Sequence, residues 1–191
     1  MVTGRIIQRD DPDFPKLSAL YREAFPENER LDLERSLDKW TEGNDLIAFY
    51  EAEGSAKAFA GFVWMLTKGD LSHILYFAIT EEKRGRGLGS EALEALRKLY
   101  IGKRIIADVE DPDTACDNAA ERRKRIRFYE QAGYHLTDVR YLWQDEFYIM
   151  MVSGGELTKE EFEAFWEGDE ENAVTYPEES DCGIIEEHGS K

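Results

Sequence analysis

The chain has little cysteine, little positive charge and no long apolar run, and each shortage narrows what it can be. Its two cysteines, Cys116 and Cys182, stand in unrelated settings without a CxxC pair. That argues against a disulfide framework and against a metal site, and both read as free thiols. Lys and Arg number 24 against 41 Asp and Glu, a net charge of −17. Such a balance repels nucleic-acid phosphates and anionic membrane surfaces, so neither nucleic acid nor membrane is expected as a partner. The longest near-unbroken apolar stretch, "AFAGFVWML", has nine residues, against the roughly 20 a membrane helix needs. The opening "MVTGRIIQRDD" is charged almost at once and does not read as a signal peptide. The expectation is a soluble, cytoplasmic protein.

What is present suffices for one ordinary domain: 191 residues, 42% of them hydrophobic, can bury a real core. The acidity is concentrated at the end, where residues 156–191 hold 13 acidic and two basic side chains. "LTKEEFEAFW" has Thr158 and Glu161 at capping-box spacing, which predicts a helix that docks Phe162, Phe165 and Trp166. The chain therefore divides into a body over 1–153, an appended helix within 154–167 and an acidic, loosely held tail over 168–191. No internal repeat is present.

Apolar spacing orders the body. "GRIIQRD" reads as a strand, "FPKLSALYREAF" and "LDLERSLDKW" as amphipathic helices, and "LIAFYEAE" as a strand. "KAFAGFVWMLTK" and "LSHILYFAIT", separated by Gly69 and Asp70, predict an antiparallel hairpin. Leu88, Ala92, Ala95, Leu96 and Leu99 then trace a helical stripe before the buried strand "RIIADVE", so a right-handed crossover between parallel neighbours is expected. "NAAERRKRIRFYEQAG" is a second such helix, ended by Gly133, and two strands follow, "YHLTDVRYLW" and "EFYIMMV". The basic run Arg122 to Arg127 reads as a solvated helix face.

Between the strand "HILYFAIT" and the helix "EALEALRKLY" lies "EEKRGRGLGS". A strand, glycine loop and helix aim several backbone N–H groups and a helix dipole at one point, which suits an anion. Gly87 and Gly89 would let backbone approach it, and Arg84 and Arg86 add positive charge. A Walker A loop would end in Gly-Lys-Ser/Thr, and this one lacks the lysine. A Rossmann fingerprint needs a repeated parallel pattern, whereas antiparallel strands come first here.

"RGRGLG" resembles the Arg/Gln-x-x-Gly-x-Gly/Ala loop of the GCN5-related N-acetyltransferases (GNAT family), with Arg84, Gly87 and Gly89 at the defining places. "RFYEQAGYH" is similar to that family's second motif, and the resemblance spans roughly residues 4–152. It implies an α/β (α+β) acyl-coenzyme A N-acyltransferase fold, with a mixed, mostly antiparallel sheet flanked by helices. It also implies acetyl-coenzyme A as co-substrate. On that resemblance Phe77, Ala78 and Ile79 meet the pantetheine arm, while Arg84, Gly85, Arg86, Gly87, Leu88, Gly89 and Ser90 meet the phosphates. For the basic run, a contact to the coenzyme's 3′-phosphate is the alternative to a solvated face. Asn118 is the candidate for a further coenzyme contact, although it stands eleven residues before Tyr129 where the family often has an Asn about seven before.

Acetyl transfer to an amine needs a base for the amine, donors for the oxyanion and a proton for the leaving thiolate. The resemblance gives the last to Tyr129, whose phenol is protonated at neutral pH. It makes His73, five residues before Ala78, the base candidate, with Glu110 in reserve. A backbone N–H near Ala78 or Ile79 is expected to meet the oxyanion if a β-bulge opens the strand. Glu27, Glu29, Arg30 and Asp108 are the expected acceptor wall. The reading is thus acetyl transfer to a primary amine by direct attack on the thioester, in a monomer or homodimer. The alternatives are a catalytically silent acyl-coenzyme A sensor and an interaction protein whose loop holds nothing.

Overall fold

Among the described residues, seven segments rich in aromatic and β-branched residues pair into one sheet, and five α-helices cover its two faces. The computed structural model describes residues 1–114 and 117–169. Cys116, Cys182 and residues 170–191 of the acidic tail lie outside them. The elements run β1 (Val2–Ile7), α1 (Phe14–Ala24), α2 (Leu33–Lys39), β2 (Asn44–Glu53), β3 (Ala56–Lys68), β4 (Leu71–Ile79), α3 (Leu88–Leu99), β5 (Arg104–Glu110), α4 (Ala119–Gln131), β6 (His135–Trp143), β7 (Glu146–Ser153) and α5 (Lys159–Trp166). In space the strands lie in the order β1-β2-β3-β4-β5-β7-β6, antiparallel except for the β4–β5 pair. The expected fold class is the observed one.

Alternate residues of each central strand serve opposite faces. Ile47, Phe49, Val63, Met65 and Ala107 pack under Leu93 and Leu96 of α3 and Ile126 and Tyr129 of α4. Leu46, Ala48, Phe62 and Trp64 pack under Leu17, Leu20 and Tyr21 of α1 and Leu33 of α2. Farther along that second face, Leu66, Ile106, Met150 and Val152 pack under Phe162 and Phe165 of α5. Burial on both faces explains why these strands read as nearly continuous apolar runs. Among the described residues no helix is long and apolar enough to cross a membrane.

Two irregularities make the site. Trp64 pairs with Tyr76 and Met65 with Ile74, so Leu75 is an extra residue in β4. The bulge turns Leu75 and Tyr76 to one face, whereas strict alternation would have parted them. Leu75 therefore places the bulge upstream of Ala78. In addition, β4 and β5 pair only from Leu71↔Arg104 to Ile74↔Ala107. Beyond that point β5 continues along β7 to Glu110↔Tyr148 while β4 continues along β3 to Ile79↔Gly61, which leaves a wedge between the two strands.

Helix α5 spans Lys159–Trp166 and is capped at its start. Thr158 Oγ1 accepts from Glu161 N at 3.2 Å and the Glu161 carboxylate accepts from Thr158 N at 3.0 Å, the reciprocal capping box. One difference concerns the start of the tail: Asp169 is buried, not loosely held, and it accepts from Lys39 Nζ at 2.6 Å and Trp40 Nε1 at 3.0 Å.

Candidate active site

The wedge opens into a cleft of about 820 Å³. One wall is β4 from Tyr76 to Ile79; the other is the end of β5, with Asp108 and Glu110. Arg84, Gly85, Gly87, Gly89 and Ser90 floor one end. Phe25, Pro26, Glu29, Trp143 and Tyr148 surround the other. Tyr129 and Phe128 of α4 close it from the side.

At the loop end, Gly87 is the residue preceding α3 and has φ 82°, a left-handed conformation that favours glycine. A Cβ there would meet nothing within 4 Å, so conformation rather than crowding within the protein calls for glycine. Gly89 has a different reason. A Cβ on it would lie 3.1 Å from the Phe128 ring, so it sets the approach of α3 to α4. Phe128 in turn stacks on Phe77 with ring centroids 6.1 Å apart. The bare N-terminal amides of α3 face the cleft through this loop and favour an anion there.

The charges around the loop differ from the expectation. Arg84 lines the cleft and donates from Nε to Ile79 O at 2.9 Å. Arg86 does not line it and is paired with Glu51 at 2.7 Å. Lys83, which sequence reasoning missed, lines the cleft and is buried between Glu51 and Glu53, 2.8 Å from each. Hydrogen bonding to Lys83, helped by the charge of Arg86, holds the Glu51 carboxyl below the ordinary carboxylate range. Leu88 is spent in the core under α3, and its side chain does not line the cleft. Asn118 does not line the cleft either; its Oδ1 accepts from Arg122 Nε at 2.7 Å.

The basic run is not one solvated face. Arg122 is buried and holds Glu146 through Nη1 at 2.8 Å and Nη2 at 2.9 Å. Arg125 lines the cleft and pairs with Glu110. The run holds five basic residues around Ile126, and only helical phase separates the structural Arg122 from the cleft-facing Arg125.

At the opposite end, Glu29, Asp108 and Glu110 line the cleft, whereas Glu27 and Arg30 turn to a separate depression beside α1. Tyr76 holds this loop in place, donating to Glu29 O and accepting from Leu31 N, both at 2.9 Å. Burial pushes its phenol up to about 12. Trp143 and Tyr148, at the tip of the β6–β7 hairpin, add aromatic walls that sequence reasoning did not assign, although "YLWQDEFY" displays them on either side of a turn.

Tyr129 is buried and lines the cleft. Burial raises its proton affinity well above that of a free phenol, and the nearby Asp108 charge adds to the effect. His73 is not in this cleft. It is buried behind Asp108, with Nε2 3.3 Å from Asp108 Oδ2, and its ring lies edge-on to Phe162, Phe165 and Trp166. Of the two expected bases, Glu110 lines the main cleft and His73 lines a side cavity beyond Asp108.

A mixed sheet whose one parallel strand pair parts above a glycine loop has the N-acyltransferase fold, shared with the solved structures described next. The chain belongs to the acetyltransferase (GNAT) family, whose model matches residues 14–134. A GNAT-family protein from Bacteroides thetaiotaomicron superposes with a TM-score of 0.66 at 23% identity, over 84% of this chain and 92% of that one. The ribosomal-protein-S18-alanine N-acetyltransferase from Escherichia coli gives 0.57 at 20% identity, over 83% and 99%. Spermidine N-acetyltransferase from Vibrio cholerae, solved with CoA and spermine, gives 0.57 at 16% identity, over 79% and 94%. No curated protein sequence matches the chain at a significant level.

Proposed function

We propose that the protein transfers an acetyl group from acetyl-coenzyme A to the primary amine of a cationic acceptor. The observation that carries this reading is the wedge itself: a free β4 edge leads from a glycine loop on a helix N-terminus to the Tyr129 ring. The residues present fit the coenzyme. Amides of α3 and the loop, with Lys83 and Arg84, suit its phosphates, and the unpaired edge from Tyr76 to Ile79 offers peptide groups to its pantetheine arm. Carboxylates of Glu29 and Asp108 with the rings of Trp143 and Tyr148 suit an acceptor that carries positive charge.

In this reading Glu110 accepts a proton from the acceptor ammonium, directly or through water, and the neutral nitrogen attacks the thioester carbonyl. A backbone N–H of β4 stabilises the oxyanion, the C–S bond breaks and Tyr129 donates its proton to the departing thiolate; the second proton on the acylated nitrogen passes to water, and Tyr129 is reprotonated from solvent. Desolvation keeps the Tyr129 phenol protonated at neutral pH, as a donor must be.

Isothermal titration with acetyl-coenzyme A and thiol release across a panel of primary amines test the proposal. Saturable binding with release is expected. Tyr129→Phe should lower turnover roughly 10²–10⁴-fold while coenzyme affinity stays near wild type. Absence of coenzyme binding defeats the proposal, and binding without release for any amine identifies a silent sensor instead.

A further inference from the structure

Behind Asp108 lies a second, smaller cavity of about 50 Å³, lined by His73, Leu75, Trp143 and Trp166 among others. Asp108 and Trp143 line both it and the main cleft, so a group entering it belongs to a molecule whose remainder occupies the cleft. Tyr141 and Asp108 bond each other in its wall, but its two ring-nitrogen residues, His73 and Trp166, are unmatched. Among the described residues, five buried side-chain atoms lack a hydrogen-bond partner. Three of the five, His73 Nδ1, His73 Nε2 and Trp166 Nε1, belong to residues lining this one cavity. His73 is 2% exposed, and its approach to Asp108 at 3.3 Å is not aligned as a hydrogen bond.

Buried donors without partners are costly, and a native protein that keeps them together at a site has a use for them. An indole N–H only donates, and a neutral imidazole donates at one nitrogen and accepts at the other. The two nitrogens of one imidazole point apart, so a single oxygen bonds only one of them. An oxygen that accepts from the indole N–H and bonds that one nitrogen, as acceptor or donor, serves both rings; a hydroxyl does so for either tautomer and an ammonium cannot accept at all. Asp108 already accepts from the Tyr141 hydroxyl and carries negative charge, which disfavours a carboxylate. The volume admits a group of hydroxymethyl size, given about 30 Å³ for a water molecule.

We propose that this cavity is a specificity subsite of the acceptor, taking an uncharged, hydroxyl-bearing substituent of the amine and bonding it through His73 and Trp166. The proposal rests on the transferase reading above. Trp166 lies beyond residues 14–134, so the appended helix α5 supplies one of the two bonding rings and the part of the chain that matches the family model supplies the other, His73.

Ethanolamine, propanolamine and butanolamine, each compared with the amine in which methyl replaces hydroxyl, test it by two readouts. In kcat/KM, at least one hydroxyl amine should exceed its methyl analogue by about tenfold or more. Trp166→Phe, which keeps an aromatic ring and removes the N–H, should abolish that preference while acetyl-coenzyme A affinity is unchanged. In NMR spectra of the coenzyme-bound protein, the preferred hydroxyl amine should shift the His73 ring resonances, identified by their loss in His73→Gln, and its methyl analogue should not. Equal rates within every pair, a preference retained in Trp166→Phe, or unshifted His73 resonances overturn the subsite and leave an ordered water only. Ring shifts without thiol release uphold the subsite and defeat the transferase reading; thiol release without ring shifts does the reverse.

Discussion

At Gly61 the sheet tolerates no side chain. A Cβ there would fall 2.3 Å from the Ala78 carbonyl oxygen and 2.8 Å from Ile79 Cδ1, and the first of these is backbone that cannot rotate away. Ala78 and Ile79 form the cleft's strand edge, so relief of that clash would move the proposed coenzyme wall. Gly61→Ala is expected to cost about 1–3 kcal/mol and to weaken acetyl-coenzyme A binding. A thermal melt and a coenzyme titration matching wild type would show that β3 absorbs the methyl. Residue-scale reasoning also separates look-alikes. Gly87 answers to a left-handed φ and Gly89 to the Phe128 ring, although both are plain letters of one motif. Arg122 and Arg125 divide in the same way between the Glu146 clamp and the cleft.

Elements contribute through the places where they break their own regularity. The Leu75 bulge brings Tyr76 to the face of α1, where its hydroxyl clasps the loop bearing Glu29. The β6–β7 hairpin turns through Gln144 at φ 48° and Asp145 at φ 64°, and it carries Trp143 to the cleft and Tyr148 beside it. Helix α5 is anchored at its start by the capping box and by Arg104, which holds Glu161 at 2.8 Å and Asp70 at 2.9 Å. Asp169 just past its end reaches α2. With both ends held, α5 covers His73 and the side cavity. Removing the cap by Thr158→Ala should cost about 1 kcal/mol, a fall of about 2–4 °C in Tm. An unchanged Tm would mean that Arg104 and core packing alone hold the helix start.

For the whole molecule, the cleft is electrically polarised, with the α3 N-terminus and Lys83 at one end and Glu29 and Asp108 at the other. Under the proposed function, that polarity suits an anionic carrier at the first end and a cationic acceptor at the second. The protein also responds to pH as a whole through its tyrosines. All eight tyrosines among the described residues have raised proton affinity, with burial as the largest cause, and Tyr50 and Tyr76 stand at about 12. The folded state therefore binds protons more tightly than the unfolded chain, whose phenols titrate near 10. Stability from this source is complete below about pH 10 and is lost as pH rises from there toward 12. Tyrosinate absorbance and loss of circular dichroism should appear together in one cooperative step above about pH 10. Phenol ionisation near 10 with the fold intact would contradict the burial of these rings.

Local sequence accounts for the elements, the glycine loop ahead of α3 and the capping box at Thr158. All of these depend on neighbours within a few residues: apolar periodicity, cap spacing and the freedom of glycine. Long-range packing is what sets β7 between β5 and β6 and parts β4 from β5 after four paired residues. Only it turned Glu27 and Arg30 away from the cleft, set Lys83 and Arg125 on its wall and placed His73 in a cavity behind Asp108. Those outcomes depend on which distant side chains compete for the same space. A strand letter is compatible with either neighbour, and a charged letter with either solvent or a buried partner, until packing assigns one.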